Sequence, residues 1–184
     1  KNRLKLLFAI LDACPIEDNH KYIPEAYKIL NEALDTAKTK IGIRNLTINQ
    51  ANIHVFEAAH SIHLENNEST LDHYKLELEI RKSVNDTNRI ADTYMRIIMH
   101  HESNGDYKNE LATLKDAINF FDSTNYLRGL SKMQYQLSLF YTNLDDLDNA
   151  VKSLNAALEI EKKIGDSTRI TRGLCLIGLF YLQN

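Results

Sequence analysis

One pattern of large, small and aromatic residues recurs through this chain about every 40 residues, and it limits the fold more than any other feature. It is clearest at 134–166, QYQLSLFYTNLDDLDNAVKSLNAALEIEKKIGD. The spacing predicts two amphipathic helices around a polar turn at 143–146. Leu137, Ser138 and Tyr141 mark the first helix, and Ala150, Leu154, Ala157, Leu158 and Ile160 mark the second. Small residues at 138, 150 and 157 allow the two helices to approach closely. Forward, Leu174, Ile177, Gly178 and Tyr181 repeat Gln134, Leu137, Ser138 and Tyr141. Backward, Tyr94, Ile97, Ile98 and His101 do so, followed by the turn Asn104-Gly105-Asp106-Tyr107 and then Leu114 and Ala117. Glu110 stands where the small alanine is expected, which predicts looser packing at the start of that pair.

Toward the N-terminus the pattern weakens. A first helix over 46–64 carries Ile48, Ala51, Val55, Phe56, Ala59 and Ile62, and a second over 70–83 carries Leu71, Tyr74, Leu78 and Ile80. Aligning Leu78 with Leu158 predicts a small insertion near 65–69. Leu4, Leu7, Phe8 and Leu11 mark another first helix, and Ala26, Leu30 and Ala33 its partner. Between them an enlarged turn would hold Cys14, Pro15 and Pro24, with Pro24 in the first helical turn, where its missing N–H costs nothing.

Composition excludes several classes. Two prolines and six glycines are few turn signals for a sheet. A net charge of −3, without a basic block, argues against a nucleic-acid partner. No apolar run reaches the ~18 residues of a membrane span; 4–11 comes nearest. Cys14 and Cys175 lie near opposite ends and are expected to be free thiols.

The order Leu137-Ser138, Tyr141, Ala150, Leu154, Ala157 resembles the tetratricopeptide repeat (TPR). The resemblance implies an all-α, right-handed solenoid of antiparallel helix pairs, four pairs and a ninth helix, in one domain over 1–184. The spacing exceeds the ~34 residues of the minimal repeat. With Ala157-Leu158-Glu159-Ile160 and Ile164-Gly165-Asp166, the longer repeat resembles TPR arrays of bacterial two-component sensor histidine kinases and regulators of Bacteroidetes type. Peptide-sensing regulators of Firmicutes use similar long pairs.

The resemblance also implies a binding face on the first helices of the pairs. Carried over repeat by repeat, it comprises Phe56, His60 and His63; Met95, Met99 and Glu102; Tyr135, Leu139 and Asn143; and Arg172. Phe56, the two methionines, Tyr135 and Leu139 would form an adaptable apolar strip for a protein or peptide. The Lys and Asn with which chaperone-tail repeats hold a terminal carboxylate are absent from these positions.

Reaction chemistry is harder to find. His54, His60, His63, His100 and His101 invite a zinc reading, but no metal-ligand spacing is met, and ordinary core and groove histidines account for them. His101 replaces the buried tyrosine of the repeat. Asp145, Asp146 and Asp148 lack the glycine and glutamate of a calcium loop. No catalytic residue, cofactor or metal is therefore expected. The expected role is a ligand-sensing segment of a signalling protein, with a free-standing scaffold as the alternative, and a periplasmic location is favoured over a cytoplasmic one. The chain stops after a first helix, from which it is expected to be a fragment cut within a repeat. That leaves Leu174, Ile177, Phe180 and Tyr181 to drive self-association.

Overall fold

The computed structural model describes residues 2–182 in backbone and 3–178 in side chain. Among the described residues there are nine α-helices and no strand. They are α1 (Asn2–Ala13), α2 (Asn19–Thr36), α3 (Lys40–His63), α4 (Asn67–Ser83), α5 (Thr87–Ser103), α6 (Tyr107–Ser123), α7 (Leu127–Asn143), α8 (Leu147–Ile164) and α9 (Ser167–Leu182). A single 3-10 turn, Ile16–Asp18, precedes α2. The fold is an all-α helical repeat of TPR type.

The turns explain the periodicity. Backbone φ is positive at Glu65, Asn85, Gly105, Asn125, Asp145 and Gly165, one residue in every twenty. The next residue in each case sends its N–H back to a carbonyl five residues earlier: Asn66 to Ser61 and Asp106 to His101 at 2.9 Å, Asp146 to Tyr141 at 2.9 Å, Asp166 to Glu161 at 3.2 Å. This is the left-handed stop that satisfies the last carbonyls of a helix. The same residue then opens the next helix. Asn66, Asp106 and Asp146 accept from the backbone N–H of Ser69, Asn109 and Asn149 through their side chains. The 40-residue repeat is thus two equal halves of twenty, each one helix plus one three-residue turn.

Compactness divides the chain into two units, Lys1–Ile97 and Ile98–Asn184. In the first, Leu4, Leu7, Leu11, Ile23, Ala26, Leu30 and Ile53 form the core, with Phe8, Tyr27 and Phe56 packed on it. The prolines sit otherwise than expected. The enlarged turn holds Cys14 and Pro15 only, because the 3-10 turn leads straight into α2 at Asn19. Pro24 therefore lies inside α2. Nor is there an insertion at 65–69: Leu64-Glu65-Asn66 stands at the same place as 104–106 and 144–146. The apparent phase slip arises because His54, Glu57 and Ser61 occupy positions filled by Tyr94, Ile97 and His101 one period later.

Polar groups fill the interior between α3, α4 and the first part of α5. Glu77 is wholly buried, where Ala117 and Ala157 stand in the later repeats. Its Oε1 accepts from Arg81 Nε at 2.7 Å and from Arg96 Nη2 at 2.5 Å. Arg81 also donates to Asp86 Oδ2 and Asn52 Oδ1, each at 2.9 Å. One period on, the position of Arg81 is Phe121, and two halves further Glu161, all three buried.

The second unit packs more conventionally. Ala150 and Ala157 are buried on α8, and Ser138 is buried on α7 with its hydroxyl turned onto the Tyr135 carbonyl at 2.7 Å. Removing that hydroxyl from the interface leaves a small residue at the crossing. Gly129 serves the aromatic junction: a Cβ there would meet Phe121 and Tyr126 at 2.6 Å. His101 is buried, Nδ1 3.5 Å from Asp106 Oδ2, in the role expected of it.

Candidate functional site

A concavity lies among α7, α8 and α9, a cleft of about 200 Å³. Leu154, Ala157 and Leu158 of α8 make its apolar floor. Gly173 lets α9 lie against that floor, since a Cβ would stand 2.6 Å from Leu158 Cδ2. Ser131, Lys132 and Tyr135 come from α7, and Arg169 and Arg172 from α9. Tyr135 and Arg172, both expected on the binding face, thus share one cleft.

The polar centre of the cleft is Glu161, near the end of α8 and 3 % exposed. Its Oε1 accepts from the Ser131 hydroxyl and from Arg169 Nη1, the latter at 3.2 Å. Its Oε2 is buried and has no hydrogen-bond partner. A buried carboxylate oxygen left unpaired is costly, and the two bonds to Oε1 offset only part of that cost. Arg169 is oriented from its other side by Asp166, whose Oδ2 is 3.5 Å from Nε.

The remaining expected residues fall elsewhere. Asn143 and Glu102 do meet, Nδ2 donating to Oε1 at 3.4 Å. Met99 and Leu139 are exposed, 58 % and 37 %, and Met95 is half-buried. In the register of the turns, Val55, Ala59, Ile62 and His63 correspond to Tyr135, Leu139, Thr142 and Asn143. Phe56 and His60 are therefore one residue out. Phe56 rests on Phe8, ring centroids 6.0 Å apart. His60 packs on His20 in a tilted arrangement, centroids 5.1 Å apart, with Nδ1 3.3 Å from the Ile16 carbonyl, and His63 Nε2 is 4.0 Å from Glu17. On α9, Leu174 is 55 % exposed; the side chains of Phe180 and Tyr181 lie outside the described residues. Sequence reasoning missed Glu161 and Arg169, whose signal was a charged residue at the buried position of Phe121.

Glu110, buried on α6, carries a measurable consequence. Burial, and secondarily the charge of Glu102, pushes its carboxyl up to about 7. Below pH 4.5 the group is neutral whether the chain is folded or not. From pH 4.5 to about 7 the unfolded chain ionises first, so stability falls across that window. Glu110→Ala is expected to stabilise by about 2 kcal/mol at pH 8 and by little at pH 4. Urea denaturation at both values checks this; an equal gain at both would remove ionisation as the cause.

No family model matches the chain, and no curated protein matches it in sequence. Among solved structures it is similar to aspartyl phosphate phosphatase F from Bacillus subtilis, with a TM-score of 0.68 and 17 % identity. The match covers 96 % of this chain and 44 % of that protein, so the chain spans under half the length of its structural neighbour. At that identity the likeness is one of fold. What the comparison establishes is that residues along nearly the whole chain are arranged as a TPR-like helical repeat.

Proposed function

We propose that the chain is a non-catalytic segment of a bacterial signal-transduction protein that binds a peptide, or a short stretch of a protein, in the cleft around Glu161. The observation that carries this reading is the set of cationic side chains at 132, 169 and 172 gathered over an apolar floor. A peptide supplies both complements: an acidic group for the cations and an apolar side chain for the floor. The cleft is smaller than the ~300–1,000 Å³ typical of small-molecule sites, which favours one side chain or terminus of a longer ligand.

Two kinds of signalling protein suit the reading, a sensor segment of Bacteroidetes type and a peptide-responsive regulator of Firmicutes type. The fold shared with a Bacillus aspartyl phosphate phosphatase favours the second. A free-standing assembly scaffold would use the same cleft. The test is fluorescence anisotropy with labelled short peptides of acidic, neutral and basic composition. Acidic peptides with an apolar residue are expected to bind best, and Arg172→Glu to weaken them at least about tenfold, the effect of ~1.4 kcal/mol. Met99→Ala, outside the cleft, should leave affinity unchanged. No binding by any class up to millimolar peptide, or equal loss with Met99→Ala, would overturn the proposal.

A further inference from the structure

A second cluster, in the first unit, has a different chemistry. His54 and Glu57 stand one turn apart on α3, and His73 faces them from α4. Each offers one donor atom, and the three lie within 4.8 Å of one another. Glu57 Oε2 is 2.7 Å from His54 Nδ1 and 3.2 Å from His73 Nδ1. Tyr27, on α2, closes the fourth side, its hydroxyl donating to the same Oε2 at 2.9 Å and lying 3.4 Å from His54 Nδ1. The two imidazoles are stacked, centroids 5.7 Å apart.

We infer that His54, Glu57 and His73 form a binding site for a divalent transition metal of the zinc class, with Tyr27 or a water completing four-coordination. Three observations support it. Two imidazoles and a carboxylate are a donor set that zinc uses where a fourth position is left to another ligand. Tetrahedral bonds of about 2.0–2.1 Å place donor atoms roughly 3.3 Å apart, and Glu57 Oε2 stands near that distance from both imidazole nitrogens, 2.7 and 3.2 Å. Finally, His73 Nδ1 is buried yet makes no hydrogen bond, which a polar cluster built only for structure would be expected to provide.

The repeat itself sharpens the point. Glu57 takes the place held by Ile97 and Leu137, and His54 that held by Tyr94. An apolar residue satisfies this position elsewhere; here a carboxylate and an imidazole were placed inside the helix pair.

On binding, His54 would carry its N–H on Nε2, leaving Nδ1 for the ion. The metal would tie α2, α3 and α4 together.

The experiment is equilibrium dialysis of the whole chain against Zn2+, with Mg2+ as the hard-cation control, followed by metal analysis and thermal unfolding. One equivalent of zinc is expected at micromolar concentration, with no magnesium and a raised unfolding midpoint. His73→Ala and Glu57→Gln should each weaken uptake at least about a hundredfold, while His100→Ala leaves it unchanged. Cobalt bound to the unmodified chain should show the intense visible absorption of tetrahedral coordination, which decides the matter if a variant does not fold. No uptake at a hundredfold molar excess, an octahedral cobalt spectrum, or uptake indifferent to His73→Ala and Glu57→Gln would overturn the site.

Discussion

Arg81→Ala is expected to destabilise the chain by about 3–5 kcal/mol, the cost of breaking a buried ion pair by removing one partner. Arg81 is 2 % exposed, and its guanidinium holds Glu77, Asp86 and Asn52 at once. Without it, Glu77 keeps only Arg96, while its Oε2 already lacks a hydrogen bond. A stranded charge, more than a lost contact, sets the size of the effect. The double variant Glu77→Ala, Arg81→Met should recover most of the loss, because alanine is what the later repeats carry at this position. Urea unfolding of the three variants measures both. A single-variant loss under about 1 kcal/mol would mean that the network adds little.

Ala150→Trp should cost at least about 3 kcal/mol, since overpacking by a few methylenes alone costs 1–3. Ala150 is fully buried in the first turn of α8, the helix that packs on α7. An indole there must displace either a helix or its own turn, and the turn is held by Asp146. Lys152→Trp, two residues on and exposed, is the control and should change stability by less than about 0.5 kcal/mol. If the two variants unfold alike, Ala150 is not at a close crossing.

Much of this was legible in the chain. Ser138, Ala150 and Ala157 announced close helix packing, and they are buried as their size and spacing required. His101 was recognisable as a core residue because it stood at a tyrosine position. The half-period of twenty was not legible. Its marker is a backbone angle, carried in turn by Glu65, Asn85, Gly105, Asn125, Asp145 and Gly165, and although Gly, Asn and Asp favour it, the same residues also occur within the helices. Without those turns as rulers the second repeat slipped by one, and Phe56 and His60 were placed on the binding face.

What the sequence determined by itself was therefore local and periodic: which segments are helical, where small residues permit contact, and that helices pair with their neighbours. Those properties depend on residues three to seven apart, which the chain displays directly. The tertiary structure alone decided where charges meet. Tyr27, His54 and His73 come from three helices, and Glu161 joins Ser131 and Arg169 from two others. Such encounters depend on the rotation of each helix about its axis, and a buried polar group is tolerated only where that rotation brings it a partner.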